Sequence, residues 1–218
     1  MKELVILFDL DGTLIDSTDA IVSTFYHSFV VKNFKFNGSE EDIKNLIGYP
    51  LDVMYEQLGV AQEEVNGFVE EYKKRYREIS LDMTLILEDA KEALELASQY
   101  ARLGIVTTKT TQYTIPLLEN MGIMNYFECI VGRQEVINPK PHPEPILKAM
   151  EMMNITVNDF DIYMIGDTKL DLIAAKKANI TGVGVLCGYG KYRELSQYSD
   201  IIEANASLAV KRIIKVKN

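Results

Sequence analysis

Short runs of consecutive apolar residues recur along the chain, separated by longer stretches in which apolar and polar residues mix. A continuous apolar run bounded by turn residues is typical of a strand that is buried on both faces of a parallel sheet. The pair Ile201-Ile202 predicts a further, short strand at the sheet edge. The longer runs predict strands at residues 4–8, 103–107, 129–131, 162–165 and 183–186.

The stretches between these strands carry the periodicity of helices. We expect Pro116 in the first turn of one helix and Leu147 on the core-facing side of the next. Strands that alternate with helices imply right-handed crossovers, so the pattern predicts an α/β fold with a Rossmann-like, doubly wound parallel sheet. Apolar residues three and four positions apart predict the helices at about residues 90–97, 112–121, 143–153, 170–178 and 206–216.

The segment after the first strand follows a different pattern, with four helical stripes and no strand-like run. Acidic residues after Ser39 mark the start of the second helix, and Gly48-Tyr49-Pro50 separates it from the third. A group of helices without strands suggests a small all-helical domain. We therefore expect a four-helix domain at residues 16–81, inserted into a core built from residues 1–15 and 82–218.

The composition limits what the chain can bind. Its 218 residues, 47% hydrophobic and 25% charged, are ordinary for a globular protein. The formal net charge of -9 argues against a nucleic-acid or anionic-membrane surface, so an anionic substrate would need a local cationic site. Cys129 and Cys187 lie far apart in or beside apolar runs, which favours buried free thiols and a cytoplasmic location. No signal peptide or membrane span is expected.

The clearest candidate for chemistry stands directly after the first predicted strand. Asp9 and Asp11 are two residues apart, so in extended chain their side chains share one face at the carboxyl end of that strand. Two close carboxylates repel each other unless a proton, a cation or several donors compensate them, and a divalent metal is the simplest partner. Gly12 would let backbone amides approach an anion closely. An isolated Asp-x-Asp pair, however, more often caps a turn.

Further polar residues follow the other predicted strands. Thr107 and Thr108 end the second strand, where threonine is usually a turn former. Lys140 lies in a proline-rich loop that would hold one cation in a fixed place. Asp167 ends the fourth strand and Asp171 lies one helical turn further on, so both carboxylates can face one point above the sheet. An N-cap and a first-turn acid would explain this last pair alone, but not all of these signals in this order.

Together these motifs resemble a known family. The stretch Phe-Asp-Leu-Asp-Gly-Thr-Leu-Ile-Asp-Ser around Asp9 looks like the first motif of the haloacid dehalogenase superfamily of phosphohydrolases. The later motifs look like the rest of its four-motif set, and a helical insert after the first motif resembles the cap of the subgroup that contains phosphoglycolate phosphatases. The matching positions are Asp9, Asp11, Gly12, Thr13, Thr107, Lys140, Gly166, Asp167 and Asp171.

The resemblance implies a bound Mg2+ and an aspartyl-phosphate intermediate on a Rossmann-like core. Asp9 would be the nucleophile, and Asp11 the general acid for the leaving group and then the base for water. Asp9, Asp11 and Asp167 would bind the metal, with Asp171 behind Asp167. The residues implied to hold the phosphoryl group are Gly12, Thr13, Thr107, Thr108 and Lys140.

The resemblance implies the substrate only as a class, a small phosphorylated metabolite under a cap loop that contains Gly48 and Tyr49. The cap type points to 2-phosphoglycolate. Thr107-Thr108-Lys109, however, looks more like the related inorganic pyrophosphatases than the Thr-Asn-Lys common in phosphoglycolate phosphatases. We rank 2-phosphoglycolate first because the cap and the motifs span more of the chain. No nucleic-acid or membrane partner is expected, and monomer and homodimer both stay open.

Other functions agree less well with these residues. A haloacid dehalogenase proper lacks the second aspartate of the first motif, which is present here as Asp11. A receiver domain of two-component signalling carries its phosphoacceptor after a later strand and has no helical insert. A β-phosphoglucomutase-like enzyme would carry a cap histidine where Ile21 stands. A non-catalytic phosphate-binding protein on this fold would be expected to have lost a motif residue, and none is lost.

Overall fold

A computed structural model describes residues 3–217 of the chain. Within these residues the strands are β1 (Glu3–Phe8), β2 (Ile15–Asp16), β3 (Leu85–Ile86), β4 (Ala101–Val106), β5 (Cys129–Val131), β6 (Phe160–Gly166), β7 (Thr181–Val185) and β8 (Ile202–Glu203). The helices are α1 (Thr18–Val31), α2 (Glu40–Lys44), α3 (Leu51–Gln57), α4 (Gln62–Met83), α5 (Ala90–Ala97), α6 (Thr111–Asn120), α7 (Glu144–Met152), α8 (Lys169–Lys177), α9 (Tyr192–Leu195) and α10 (Ala206–Lys217). Met124–Tyr126 and Arg133–Glu135 form single turns of 3-10 helix.

Six strands of the described chain form one parallel sheet in the order β5-β4-β1-β6-β7-β8. β1 lies inside it, paired with β4 on one side and with β6 on the other. The chain runs outward from β1 through β4 to β5, then returns to β6 and runs outward again on the other side. This confirms the predicted α/β fold with a doubly wound parallel sheet. Its topological switch, where ligands bind on such sheets, lies between the carboxyl ends of β1 and β6.

β1 separates two apolar layers, as the alternation of side chains along a strand requires. Leu4, Ile6 and Phe8 pack in the layer that contains α5, α6 and α10. Val5 and Leu7 pack in the opposite layer, with α7 and α8. Because β1 is buried on both faces, its carboxyl end is the first place where polar side chains can stand without interrupting a core.

Helices α1 to α4 pack around an aromatic cluster of their own. The rings of Phe25 and Tyr55 lie 4.7 Å apart between centroids, and those of Phe25 and Tyr72 lie 5.1 Å apart. Phe68 joins the same cluster, and so does Tyr113, which comes from α6 of the sheet-containing part. The helices predicted for this segment are therefore present, and Tyr113 and Tyr189 of the sheet-containing part pack against them.

The insert is not purely helical at its boundary. β2 and β3 form an antiparallel ribbon in which Ile15 pairs with Ile86 and Asp16 with Leu85. Asp16 was predicted to belong to the all-helical segment 16–81, and this prediction is wrong because Asp16 lies in strand β2. Strands of two residues carry no alternation that a hydrophobic pattern could reveal. The ribbon joins the two ends of the segment that contains α1 to α4.

Two details of the helix predictions are wrong. Pro116 lies in the second turn of α6 rather than the first, because the helix begins at Thr111. Leu147, predicted to face the core, is 47% exposed. The buried stripe of α7 passes through Ile146, Ala149 and Met150. A side chain one position after Ile146 is rotated by about 100° around the helix and leaves that stripe.

The remaining global predictions concern cysteines and membranes. Both cysteines are free thiols; Cys129 is buried as expected, whereas Cys187 is only partly buried. Among the helices of residues 3–217, none combines the length and the apolar character needed to cross a bilayer.

Candidate active site

The predicted motifs meet at the carboxyl ends of neighbouring strands. Asp9 follows β1, and its N–H donates to the carbonyl of Ile165 in β6 at 2.9 Å, which holds the end of β1 against β6. Asp167 follows β6, and Thr107 follows β4 on the other side of β1. Lys140 arrives from the loop before α7 and places its Nζ 2.8 Å from Oδ1 of Asp9. The parallel sheet therefore brings all four motifs to one edge.

Three buried carboxylates form the centre of this site. One oxygen each of Asp9, Asp167 and Asp171 lies within 4.8 Å of the others, and all three side chains are buried. Asp167 is held from two sides. Its Oδ1 accepts the Thr13 hydroxyl at 3.2 Å, and its Oδ2 accepts the backbone N–H of Tyr189 at 2.8 Å.

Asp171 has a different set of partners. Its Oδ2 accepts the backbone N–H of Thr168 at 3.1 Å and the Thr168 hydroxyl at 2.7 Å, which caps the start of α8. Its Oδ1 accepts the Lys140 ammonium at 2.5 Å. Both oxygens are thus engaged by the protein. This favours the predicted position behind the metal over a place among its direct ligands, and the role itself stays a prediction.

Lys140 is fully partnered. An ammonium group has three N–H donors, and those of Lys140 reach Oδ1 of Asp171 at 2.5 Å, Oδ1 of Asp9 at 2.8 Å and the carbonyl of Val106 at 2.9 Å. Burial alone would lower the pKa of Lys140, but the carboxylates of Asp171 and Asp9 outweigh burial and hold that pKa above its ordinary value. Lys140 is therefore a fixed positive charge beside Asp9.

Asp11 lies apart from the three-carboxylate group. Its Oδ1 accepts the Ser17 hydroxyl in a short hydrogen bond and lies 3.1 Å from Nζ of Lys109. Within residues 3–217 the grouped carboxylates are Asp9, Asp167 and Asp171, so the side chain of Asp11 is not among them. Its assignment as a metal ligand stays a prediction.

The buried charges of the site do not balance. Four carboxylates share two ammonium groups, which leaves a formal charge of -2 if all are ionised. Burial raises the pKa of Asp9 to about 7, and the Asp171 carboxylate adds to the rise against the opposing effect of Lys140. Burial and the Asp9 carboxylate likewise raise the pKa of Asp167 well above its ordinary value. The charged groups are Asp9, Asp11, Asp167, Asp171, Lys109 and Lys140.

This donor set fits Mg2+. Carboxylate oxygens are the hard ligands that Mg2+ prefers. In the described part of the chain the group contains neither a thiolate nor an imidazole that would favour a softer metal. The excess of two negative charges equals the charge of one divalent cation. Such a cation would favour the charged carboxylates of Asp9 and Asp167, against the burial and the mutual repulsion that raise the pKa of both.

Gly12 lies where a side chain would disturb the carboxylates. Its φ is +81°, in the left-handed region that favours glycine. A Cβ at this position would stand 2.5 Å from Oδ2 of Asp167, well inside van der Waals contact. The glycine of the first motif is therefore required by the close approach of Asp167, whereas its predicted contact with the phosphoryl group stays a prediction.

The two threonines after β4 occupy different places. Thr107 is buried, and its hydroxyl oxygen accepts the backbone N–H of Lys109 at 3.1 Å. A hydroxyl that accepts through its oxygen still has its proton to donate, as a phosphoryl oxygen requires. Thr108 is partly buried and lines the cavity that Asp11 also lines.

A cavity of about 390 Å³ lies between the insert and the sheet-containing part. Asp11, Thr108 and Lys109 line it from the core, and the predicted cap-loop residues Gly48 and Tyr49 line it from the insert. A larger open groove of about 600 Å³ is lined by insert residues only and by none of the buried carboxylates, so volume alone does not locate the site. Apolar and aromatic side chains of the insert complete the smaller cavity: Ile21, Ile47, Met54, Val69, Tyr72 and Tyr76.

Several residues that lie at the site were not predicted from the sequence. Ser17 and Lys109 contact Asp11, Tyr76 accepts a hydrogen bond from Lys109 Nζ at 2.9 Å, and the backbone of Tyr189 holds Asp167. Ser17 belongs to the first motif, and Lys109 directly follows Thr107 and Thr108. Tyr189 lies in a glycine-rich turn after β7. These three residues could therefore have been recognised as site candidates from their positions in the sequence. Tyr76 could not have been recognised in this way, because it continues the ordinary apolar stripe of α4.

Comparisons with known proteins agree with the motif assignment. The family model described as haloacid dehalogenase-like hydrolase matches residues 6–185. A phosphoglycolate phosphatase from Colwellia psychrerythraea is 30% identical over 204 residues, which cover 89% of each chain. The "Probable phosphatase IndB" of Dickeya dadantii is 36% identical over 194 residues, 86% of this chain and 83% of that protein. The crystal structure of a haloacid dehalogenase-like hydrolase from Bacteroides fragilis superposes with a TM-score of 0.88 at 27% identity, covering 95% of this chain and 100% of the other.

Proposed function

Because this chain belongs to the haloacid dehalogenase-like hydrolase family, we propose that it hydrolyses a small phosphorylated metabolite through an aspartyl-phosphate on Asp9. It is a phosphatase of the phosphoglycolate phosphatase-like subgroup. The observation that carries the proposal is the difference between two neighbouring carboxylates. Asp9 contacts Lys140 and belongs to the buried carboxylate group, whereas Asp11 pairs with Lys109. Carboxylates in different surroundings can divide the roles of nucleophile and of acid and base.

In the first step, a carboxylate oxygen of Asp9 attacks phosphorus while the bond from phosphorus to the leaving-group oxygen breaks. Asp11 gives its proton to that oxygen, so the leaving group departs as an alcohol. The charge of Lys140 offsets the negative charge on the equatorial oxygens, and the Thr107 hydroxyl and the amides near Gly12 donate to them. A carboxylate nucleophile divides one difficult displacement into two easier ones.

In the second step, Asp11 is a carboxylate and takes a proton from water. The water oxygen attacks phosphorus, and the bond from phosphorus to Asp9 breaks. Inorganic phosphate leaves, Asp9 returns as a carboxylate, and Asp11 again carries the proton that the next cycle needs. The same group thus acts as acid and then as base.

Mg2+ would be held by the carboxylates of Asp9 and Asp167, with Asp11 as a further predicted ligand and Asp171 behind them. When bound, the ion supplies positive charge to the phosphoryl oxygens and helps to orient them for in-line attack. The hydrogen bonds from Thr13 and from the backbone of Tyr189 keep Asp167 in position for this role. Such supporting partners tune a metal site.

We also propose that residues 16–81 act as a cap over a core of residues 1–15 and 82–218. The aromatic cluster of α1 to α4, to which the core adds Tyr113, supports this division, as does the cavity between insert and sheet. Gly48 and Tyr49 would form part of the cap loop that covers the leaving group. Closure would exclude bulk water while the aspartyl-phosphate exists.

As substrate we rank 2-phosphoglycolate first and inorganic pyrophosphate second. Relatives that carry the name phosphoglycolate phosphatase support the first. The cavity wall is largely apolar and aromatic on the cap side. Lys73, Lys109 and Arg133 also line this cavity, so its charge could accommodate the carboxylate of glycolate or the leaving phosphate of pyrophosphate. Thr108, which lines the cavity, is the residue that favours pyrophosphate.

The test is kcat/KM for purified protein with Mg2+ across 2-phosphoglycolate, pyrophosphate, sugar phosphates and nucleoside monophosphates. A tenfold preference for 2-phosphoglycolate corresponds to about 1.4 kcal/mol of differential transition-state binding, which one or two cap contacts can supply. A tenfold lead for pyrophosphate would make the second candidate the assignment. If the protein cleaved only a chromogenic phosphate ester, both substrate assignments would be wrong.

A further inference from the structure

The turn after β7 lies very close to Asp167. It contains Cys187-Gly188-Tyr189-Gly190, and a Cβ on either glycine would stand far inside van der Waals contact with Asp167. The backbone can come this near only because both positions are glycine. Tyr189 lies between them, so its side chain has to support a stretch of backbone whose immediate neighbours have none.

The backbone of Tyr189 holds the Asp167 carboxylate. Its N–H donates to Oδ2 of Asp167 at 2.8 Å, while the Thr13 hydroxyl donates to Oδ1 at 3.2 Å. From the described residues each oxygen accepts one hydrogen bond, and a carboxylate oxygen has about two acceptor sites. Each oxygen therefore keeps a site for a metal ion, and the orientation of the carboxylate depends on where the Tyr189 N–H lies.

The side chain of Tyr189 reaches the insert. Its hydroxyl lies 3.0 Å from the hydroxyl oxygen of Thr18, the first residue of α1. Its ring packs against the buried cluster of the insert. The ring also lies beside Gly12, where an added Cβ would stand 3.0 Å from its Cδ2 atom. Tyr189 thus contacts the predicted metal ligand Asp167 through its backbone and the insert through its side chain.

Two further hydrogen bonds between the insert and the sheet-containing part lie elsewhere. Tyr113 donates to the carbonyl of Lys73 at 3.3 Å, and Lys109 donates to the hydroxyl of Tyr76 at 2.9 Å. Within residues 3–217 neither Tyr113 nor Lys109 forms a hydrogen bond with the three grouped carboxylates. Tyr189 differs from both, because it has one hydrogen bond to that group and another to the insert.

We propose that Tyr189 is a positioning residue that couples Asp167 to the insert, so that the hydrogen bond between Tyr189 and Thr18 increases the affinity of the site for Mg2+. This inference rests on the proposed Mg2+ site and adds a residue that lies outside the four motifs. The hydrogen bond fixes the turn, and the turn orients the carboxylate that the ion would meet. Groups that orient a metal ligand raise affinity without contacting the metal.

The competing explanation is that Tyr189 only fills space between the turn and the insert. Tyr189→Phe separates the two cases, because it keeps the ring and the backbone N–H and removes the hydroxyl. If packing were the whole role, this variant would bind Mg2+ as the wild type does. Tyr189 and Thr18 are only partly buried, so water can solvate the hydroxyl that remains and the fold should be kept.

The experiment measures Kd for Mg2+ by isothermal titration calorimetry at pH 8, for the wild type, Tyr189→Phe, Thr18→Val and the double variant. We expect each single variant to bind Mg2+ about three- to tenfold more weakly, the range that one hydrogen bond of ordinary strength allows. The double variant should bind no more weakly than the single variants, since both changes remove the same hydrogen bond. The control Tyr192→Phe alters an exposed tyrosine of α9 and should bind as the wild type does.

Two results would overturn the inference. One is a folded single variant that binds Mg2+ as tightly as the wild type, and the other is a double variant whose loss is the sum of the two single losses. Circular dichroism first establishes that each variant is folded. If Tyr189→Phe does not fold, Thr18→Val tests the same hydrogen bond from the insert.

Hydrogen exchange gives a second readout, because coupling between two sites is reciprocal. Mg2+ should slow amide exchange at residues 16–21 of the wild type, where α1 begins, and should slow it less in Tyr189→Phe. An equal effect in both proteins would contradict the coupling. The proposed function fails separately, if the wild type neither binds Mg2+ nor releases phosphate from any ester.

Discussion

Replacing Lys140 by methionine tests the electrostatic account of the site most directly. The substitution keeps a long unbranched side chain and removes an ammonium group that contacts Asp9 at 2.8 Å and Asp171 at 2.5 Å. The Lys140 side chain is 2% exposed, and those of Asp9 and Asp171 are 6% and 0% exposed. Water therefore cannot take over the role of the lost cation.

The size of the effect follows from this burial. Removing one partner of a buried ion pair costs about 3–5 kcal/mol, because it leaves an uncompensated charge. In a protein of this length, 1 kcal/mol shifts the melting temperature by about 2–4 °C. In metal-free buffer at pH 8 we expect Lys140→Met to lower Tm by about 6–20 °C. Mg2+ should restore part of the loss, because it binds the same carboxylates only in the folded state.

The assay is thermal unfolding followed by circular dichroism, in EDTA and in Mg2+. Lys148→Met is the matched control, since Lys148 forms a surface ion pair with Glu151 in which the side chains are 39% and 71% exposed. Exposed pairs of this kind contribute little. If Tm falls no further for Lys140→Met than for Lys148→Met in EDTA, the buried-charge argument is refuted. Both variants keep the site carboxylates, so if Mg2+ raises the Tm of neither Lys140→Met nor Lys148→Met, the link between these carboxylates and the metal is refuted.

Four further predictions follow from the same residues. Asp9→Asn should reduce kcat by more than about a hundredfold with unchanged circular dichroism, and more than a few per cent residual activity would exclude a phosphoenzyme on Asp9. EDTA should abolish phosphate release, and Mg2+ should restore it. Ca2+ should inhibit because its coordination is looser and of higher number. Full turnover in metal-free buffer would contradict the metal proposal. In EDTA, the free energy of unfolding should decrease as pH rises from about 4 to about 7. In the folded protein the pKa of Asp9 is raised to about 7, whereas in the unfolded chain it is 3.8, so over this pH range only the folded protein keeps the proton. Asp9→Asn should show a smaller decrease, and an equal one would point to other groups. Gly12→Ala should weaken Mg2+ binding, measured by titration calorimetry, because the added Cβ would collide with the Asp167 side chain. Gly59→Ala is the control. Gly59 also has a positive φ but has open space around it, so this variant should leave Mg2+ binding unchanged.

The sequence by itself determined the sheet and the place of the site on it. The apolar run of β1 predicts a strand buried on both faces, and the polar residues after it can stand only at its carboxyl end. The same reasoning applies to Asp167 after β6 and Thr107 after β4. Parallel strands align their carboxyl ends, so residues far apart in the chain were predictable as neighbours from local patterns alone.

Only the tertiary structure decided which of these groups contact each other. Lys140 was predicted to hold a phosphoryl oxygen, yet in the structure all three of its donors are used by the protein. Lys109 and Tyr76 lie on separate elements, and nothing in either segment indicates that they meet beside Asp11. Periodicity records which face of an element is buried, because burial depends on the average polarity of that face. An ion pair or a hydrogen bond depends on tenths of an ångström between side chains of remote segments, and that distance is set only when the whole fold packs.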